Sequence, residues 1–385
     1  MSERKLRVLS IAHTAVSRSA GRLRYHPFKS YADLDVHLVV PQRFRQFGRT
    51  LEADPGDDEG ITVHVLPIIL DSAGPMTWYL HIYPGLSKLI SALKPDVIHL
   101  WEEPWSAVAS QACLLKKHAA LVLEVDQNIL KRLPPPFEFM RRKVLQHCDH
   151  ILSRSSDATA VIRANGYTGP VSPIGYGVDQ ETFHPVEASE PRIVGAPLAL
   201  GYVGRLVEEK GIQDALDAMV RMGHPAMLHI IGEGPYEPAI RSQIDRLGLG
   251  ERVSIRGWDK PAAVADFMRG LDALLLLTHT TPAVKEQFGR VIIEAQNCGT
   301  PVIGADSGAI PDVVGEGGWI IPQHDPAALA ELVDRLAEDR AEIDTKRKLA
   351  MENVQARFTY GAIAEQLATA WKAAYIARDI KRGAI

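Results

Sequence analysis

The chain has 385 residues, of which 46% are hydrophobic and 23% charged, with a formal net charge of −4. That length exceeds one ordinary core and predicts two globular domains, while the near-neutral balance excludes nucleic-acid binding driven by a global basic field. Residues 1–180 carry 21 Lys and Arg against 18 Asp and Glu, and the remainder 22 against 29, so the first half is mildly basic and compatible with an anionic acceptor or membrane surface.

The opening MSERKLRVLSIAHTAV has basic residues followed by a short apolar run. The run is too short for a secretory signal and lacks a small-residue cleavage site, so it predicts a buried first strand. Further along, Arg7–Ile11, Asp35–Val40, Ile61–Leu66, Val97–Leu100, Ala120–Val125 and His150–Leu152 read as strands rich in Val, Ile and Leu, the pattern of strands covered on both faces. Pro84–Leu93 and Trp105–His118 read as helices. Pro134-Pro135-Pro136 predicts a rigid elbow before a helix over Glu138–His147, because proline lacks the N–H that a helix interior needs. The polar stretch Val186–Pro197 reads as an interdomain linker. A second series follows, with strands at Leu198–Val203, Ala226–Ile231, Val253–Arg256, Ala273–Leu277, Pro301–Ile303 and Gly318–Ile321 and helices between them. Leu274–Leu277 is far too short to span a bilayer. The final segment, Tyr360–Ala377, places Ile363, Leu367, Ala370, Trp371 and Ala374 on one apolar stripe of a helix. Cys113, Cys148 and Cys298 show neither CxxC nor zinc-finger spacing and predict reduced thiols in a cytoplasmic protein. The alternation predicts an α/β protein of two Rossmann-like halves, with ligands at the C-terminal ends of the strands.

Two segments carry chemistry. In Lys285-Glu-Gln-Phe-Gly-Arg-Val-Ile-Ile-Glu294, two glutamates stand with seven residues between them. Glu286 falls on the loop after a strand and Glu294 in the opening turns of a helix beginning near Gly289. The backbone N–H groups around Phe288-Gly289-Arg290 are then helix N-terminal donors suited to a phosphate. In Gly204-Arg205-Leu-Val-Glu-Glu-Lys210-Gly211, two cations lie at the end of another strand, where they suit a diphosphate leaving group.

These motifs resemble those of family 4 of the retaining glycosyltransferases. The resemblance rests on Gly204-Arg205…Lys210-Gly211, on Glu286…Glu294, and on His229-Ile-Ile-Gly-Glu-Gly-Pro235, Ile255-Arg-Gly257 and Cys298-Gly-Thr-Pro-Val-Ile-Gly-Ala-Asp-Ser-Gly-Ala-Ile-Pro-Asp312. Ser172-Pro-Ile-Gly-Tyr-Gly-Val-Asp179…Phe183-His-Pro185 resembles the family's interdomain segment. The resemblance implies the GT-B fold, two Rossmann-like domains facing each other across a cleft. Residues 1–186 with 359–385 would form the acceptor-binding domain, and 187–358 the donor-binding domain. It implies that Glu294 binds the ribose, Glu286 a donor-sugar hydroxyl, Arg205 and Lys210 the diphosphate, and the backbone of Phe288, Gly289, Arg290 and Val291 the phosphate and sugar. Gly204, Gly232 and Gly257 complete the donor set. The family's first-loop glycine pair is replaced by Ala12-His13-Thr14-Ala15, with Gly21 beyond. Its acceptor-side histidine is replaced by Asp126 or Gln127, so His13, Arg18, Gly21 and Gln127 are the acceptor-side candidates, and Asp126 joins Glu286, Arg205 and Lys210 as a catalytic one.

The implied reaction moves a hexose from a nucleotide diphosphate sugar, uridine favoured, to a hydroxyl of a glycan, lipid-linked or small-molecule acceptor, without cofactor or metal. Peripheral contact with the inner face of a membrane fits the basic first half. The alternatives are a nucleotide-sugar epimerase or hydrolase on the same fold, and a catalytically silent nucleotide-sugar binder. Asp33-Leu-Asp35 precedes a strand and reads as turn carboxylates, not a metal site. His279 has no second histidine or cysteine at ligand spacing and reads as a loop residue. Trp78, Tyr79, Tyr83, Trp101 and Trp105 read mainly as core, with Arg18, Arg22 and Arg24 as candidates to line the acceptor cleft.

Overall fold

The computed structural model describes residues 4–18, 21–46, 49–54, 56, 58–70, 77–186 and 196–383. Residues 187–195 of the expected linker, and the side chain of Trp78, lie outside the described set. The chain divides into two compact units, residues 1–175 with 360–385, and residues 176–359.

Unit 1 is built on a parallel sheet. Its strands are β1 (Leu6–Ile11), β2 (Leu34–Pro41), β5 (Thr62–Leu66), β6 (Val97–Trp101), β7 (Ala120–Val125), β8 (His150–Ser153) and β9 (Val171–Pro173), in the order β5-β2-β1-β6-β7-β8-β9. Every residue of β6 and β7 is buried, as the apolar runs require of strands covered on both faces. Between β2 and β5 lies an antiparallel hairpin, β3 (Arg43–Gln46) with β4 (Arg49–Glu52), whose polar sequence gave no strand signal. The helix Tyr360–Lys381 closes this unit. Trp371 is fully buried, stacks on Phe28 at a ring separation of 5.0 Å and meets His99 at 5.5 Å.

Two expectations are corrected here. The helix expected at Glu138 starts at Pro135, with Pro134 as its N-cap. Prolines fit the first turn because those N–H groups have no intrahelical partner. Residues 176–185, assigned from sequence to the first domain, pack in unit 2. Val178 N–H donates to Phe358 O at 2.8 Å and Phe183 is buried with Phe288 and Phe358.

Unit 2 carries β10 (Leu198–Val203), β11 (Ala226–Ile231), β12 (Val253–Arg256), β13 (Ala273–Leu276), β14 (Val302–Ala305) and β15 (Gly318–Ile321), all parallel in the order β12-β11-β10-β13-β14-β15. Counted within the unit, this is the 3-2-1-4-5-6 arrangement of dinucleotide-binding folds, whose ligands lie where the strand order reverses. The reversal falls between β10 and β13 in unit 2, and between β1 and β6 in unit 1. Functional groups are therefore to be sought in the loops after these four strands.

Candidate functional site

The loops after β10 and β13 hold the residues singled out by motif. Gly204 leaves β10 and its N–H donates to Ile231 O, while Leu206 N–H donates to Glu233 O. The loops after β10 and β11 lie backbone against backbone: a Cβ on Gly232, at φ 154°, would stand 1.9 Å from Gly204 O. Gly232 is thus needed for close approach of the chain to itself, while a Cβ on Gly204 would meet the Tyr202 hydroxyl at 2.6 Å. Gly257 lies beside Glu233, whose carboxylate oxygen would be 2.7 Å from a Cβ there. Arg205 is exposed, and its carbonyl accepts from the buried Tyr202 hydroxyl at 2.8 Å. Burial, reinforced by Glu286, pushes that phenol above its ordinary pKa, so it stays a neutral donor.

Lys210 ends a short 3-10 turn, Glu208–Lys210, and Gly211 follows in the left-handed region at φ 70°. A Cβ on Gly211 would sit 2.1 Å from Leu277 O, so glycine lets the turn seat against the end of β13. The side chain of Lys210 reaches Glu286 Oε2 at 2.6 Å and Thr278 Oγ1 at 3.4 Å, and Thr278 Oγ1 donates to the same Glu286 oxygen at 3.1 Å. Residues 76 positions apart thereby form one charge-assisted cluster with limited exposure, 21% for the lysine and 14% for the glutamate side chain. The loop carrying Glu286 is fixed from behind by Ala309 N–H, which donates to Glu286 O at 3.0 Å.

The helix Arg290–Asn297 starts from Gly289, at φ 78°, with no side-chain cap. Phe288 is buried against Tyr176 and Phe358 and anchors this entry. Arg290 is exposed, its guanidinium 5.6 Å from the Tyr176 ring centroid. Val291 is half-buried beside it. Glu294 lies in the second turn; burial raises its carboxyl above the ordinary value, partly offset by Arg290. Tyr176, Tyr202 and Thr278 also belong to this neighbourhood, although none was among the expected site residues.

His279 is a loop residue, as expected; its Nε2 meets Asp214 Oδ2 at 2.7 Å and its ring lies 3.7 Å from that of His324. His324 adopts φ 56°, unusual for a side chain of its size. His279 also ties its loop to the Lys210 turn, its N–H donating to Glu209 O at 2.7 Å.

In unit 1 the acceptor-side candidates separate. Asp126 and Gln127 are half-buried after β7, and both backbone N–H groups donate to Glu103 Oε1 at 2.8 Å. Asp126 also takes Arg154 Nε at 2.7 Å. Arg18 pairs with Asp58 at 2.6 Å. Arg22 and Arg24 do not line an open surface. Arg22 is fully buried and donates to Ala15 O, Val16 O and Asp54 O. Arg24 forms a bidentate pair with Glu124 at 2.7 and 2.9 Å. Gly21 is a packing glycine, since a Cβ would meet Thr14 O at 2.5 Å. His13 is buried and bonded to Glu102, not presented to solvent. Asp33 pairs with Lys372 at 2.6 Å and Asp35 with Arg7 at 2.7 Å, as ordinary structural carboxylates.

The sequence profile described as "Glycosyl transferases group 1" matches residues 187–355, and that of "Glycosyltransferase Family 4" matches residues 30–182. A 2-deoxystreptamine N-acetyl-D-glucosaminyltransferase of Streptomyces fradiae is 26% identical over 281 residues, 66% of this chain and 65% of that protein. A putative colanic acid biosynthesis glycosyltransferase, WcaL, of Salmonella typhimurium is 32% identical over 203 residues, 50% of this chain and 48% of that protein. The chain thus spans about half to two thirds of the length of these relatives. Among solved structures, Anabaena HepE in complex with UDP and glucose superposes with a TM-score of 0.64 at 20% identity, covering 94% of this chain and 98% of that one. The fold is therefore of the GT-B type.

Proposed function

The chain belongs to the group 1, family 4 glycosyltransferases, and from that premise we propose that it transfers a sugar from a nucleotide diphosphate donor to an acceptor hydroxyl with retained anomeric configuration. The observation that carries this reading is the Lys210–Glu286–Thr278 cluster at the switch point of unit 2, with an uncapped helix N-terminus at Gly289 on the same loop. In the proposed reaction the bond from the anomeric carbon to the diphosphate oxygen breaks, the acceptor oxygen attacks from the same face, and its proton passes to the departing phosphate. Lys210, Arg205 and the N–H groups following Gly289 stabilise the charge that grows on the diphosphate. In the free chain Lys210 is held by Glu286. The donor's diphosphate takes over the lysine and releases Glu286 to a sugar hydroxyl, while Glu294 takes the ribose. Unit 1 supplies the acceptor site, with Asp126 and Gln127 beside Glu103.

A uridine donor is favoured, a reading supported by the UDP bound to the structurally similar HepE. Products in glycan or glycolipid biosynthesis are supported by the named relatives. No helix among the described residues is long and apolar enough to cross a membrane, and a cytoplasmic enzyme in peripheral contact with the bilayer is the proposed setting. A thermal-shift panel of nucleotides and nucleotide sugars tests the reading, because a ligand that binds only the native state raises the midpoint by mass action. A flat response across all uridine and guanosine ligands overturns it.

Two outcomes follow from these roles. Glu294→Ala should weaken free nucleotide and intact donor alike by about 1.5–3 kcal/mol, the value of a hydrogen bond to a charged group. Glu286→Ala should weaken the intact donor and leave the bare nucleotide nearly unchanged, since Glu286 is assigned to the sugar. Calorimetry with both ligands separates the roles; equal losses at Glu286 contradict its assignment. Donor turnover should also persist in excess chelator, because fixed cations and a helix end neutralise the diphosphate. Loss of turnover restored by magnesium or manganese would reject a metal-independent leaving group.

A further inference from the structure

The switch point of unit 1 carries a cluster that the proposed reaction does not use. His13 follows β1, Glu102 follows β6, and His81 comes from the segment before the helix Leu86–Leu93. Three chain segments, separated by 68 and 21 positions in sequence, therefore converge on the C-terminal ends of the two adjacent strands where an open α/β sheet places its ligand. All three side chains are buried, at 7%, 0% and 2% exposure for His13, His81 and Glu102. His13 Nδ1 bonds Glu102 Oε1, and His81 Nε2 lies 3.7 Å from that same oxygen. One nitrogen of each imidazole and one carboxylate oxygen all lie within 4.8 Å of one another.

From this geometry we infer that His13, His81 and Glu102 form a site for a divalent transition-metal ion of the zinc class. Two imidazoles bound to one tetrahedral ion at about 2.0–2.1 Å place their ring centres about 5 Å apart. His13 and His81 stand 5.3 Å apart with planes inclined at 74°, so a common ion needs little rearrangement of the rings. The donor set is that of a two-histidine, one-carboxylate zinc site, which leaves a fourth position. Near it is a further buried polar group. The ring of Tyr83 meets His81 edge-on at 5.7 Å, is fully buried, and its hydroxyl has no hydrogen-bond partner among the described residues. Phe44 closes another side, 4.6 Å from His13 and 5.4 Å from His81, and supplies the apolar wall that strengthens the attraction between ion and ligands. A buried carboxylate is costly unless paired, and a divalent ion is one such partner.

The Asp214–His279–His324 group also gathers three such side chains in unit 2, but its rings lie 3.7 Å apart, too close for two ligands of one ion. It is the internal control. Bound at the unit 1 switch point, the ion joins the loop after β1 to the loop after β6. All its ligands belong to unit 1, and none of them is a residue assigned to the diphosphate.

The test uses the full chain. After exchange against chelator, zinc chloride is titrated by calorimetry, and cobalt chloride is added separately while visible absorption is recorded. The wild-type chain is expected to take one equivalent of zinc, to show a raised thermal midpoint, and to give the visible bands of four-coordinate cobalt with nitrogen and oxygen ligands. Glu102→Gln and His81→Asn, confirmed as folded by circular dichroism, are expected to lose that equivalent and those bands, and His324→Ala to keep both. Because the cobalt spectrum is read on the wild-type chain, an unfolded variant does not remove the test. The inference is overturned if the wild-type chain takes no stoichiometric zinc or gives no four-coordinate cobalt spectrum. It is equally overturned if binding survives in folded Glu102→Gln or disappears in His324→Ala. None of these readouts depends on donor turnover, so the proposed transferase and the metal site stand or fall separately.

Discussion

Lys210→Ala is expected to lower the rate of nucleoside diphosphate release at saturating donor by about 10²–10³-fold, the loss typical of removing one group that stabilises developing anionic charge. The lysine is placed for this by its backbone. The 3-10 turn Glu208–Lys210 is held against the end of β13 by Gly211, where any Cβ would collide with Leu277 O. Its ammonium is already directed by Glu286 Oε2 at 2.6 Å and Thr278 Oγ1 at 3.4 Å, so little reorganisation accompanies the exchange of one anionic partner for another. Alanine removes the cation and also leaves Glu286, only 14% exposed, without its strongest partner. In the proposed reaction charge on the diphosphate grows as the glycosidic bond breaks, so the interaction is expected to strengthen toward the transition state and its loss to appear in kcat. Lys210→Arg should recover only part of the rate, because the broad guanidinium fork does not reproduce a compact ammonium between Thr278 and Glu286. A raised KM with kcat unchanged would show that Lys210 binds donor and transition state equally, and would remove it from the catalytic set.

The Lys210–Glu286 pairing at the switch point of unit 2 was legible because its elements are encoded locally. A strand, a glycine turn and a cation occur within fourteen residues from Leu198 to Gly211, and a loop glutamate, a glycine and a helix within nine from Glu286 to Glu294. The alternating apolar runs likewise predicted eleven of the strands within one residue and β14 within two, since buried parallel strands leave an unambiguous pattern. The exceptions were short or polar: β9 has three residues and the β3–β4 hairpin is built from RFRQ and RTLE. The triple proline was misread because the rule against helical proline applies to the interior, and the first turn is exempt. Unit 1's buried polar clusters were missed for a different reason. His13, His81 and Glu102 share no spacing, and Arg24, His99, Glu124 and Arg154 are brought together only by the sheet. A weaker signal was nonetheless present: Glu124 in ALVLEV and His99 in VIHLW interrupt runs that otherwise predict strands with both faces covered. A charged residue there must be paired inside the fold.

Glu124→Gln is expected to destabilise unit 1 by about 3–5 kcal/mol at pH 7, the range for breaking a buried ion pair from one side. Glu124 is fully enclosed and meets three partners: Arg24 through both oxygens at 2.7 and 2.9 Å, Arg154 through Oε1, and His99 at 3.3 Å. Both guanidinium groups also lie over the Trp101 ring, at 4.4 and 5.2 Å. Glutamine keeps the volume but removes the charge and turns an amide donor toward one of these cations. Arg24, 5% exposed at the side chain, is then left without a carboxylate partner, whereas Arg154 retains Asp126. The pH dependence has a definite sign. Burial alone would raise the Glu124 carboxyl, but Arg154, Arg24 and the His99 hydrogen bond hold it well below its ordinary 4.5. A depressed carboxylate contributes stability that is fully present above its unfolded pKa and is lost as pH falls toward the folded one. The wild-type chain should therefore lose stability steadily below pH about 4.5, while the glutamine variant should be flatter over that range and the two should converge in strong acid. Urea unfolding followed by tryptophan fluorescence reads this transition, since Trp101, Trp105 and Trp371 are all buried in unit 1. A loss below about 1 kcal/mol at pH 7, the level of an exposed pair, would mean that water screens the network and that Arg24 finds another partner when Glu124 is neutral.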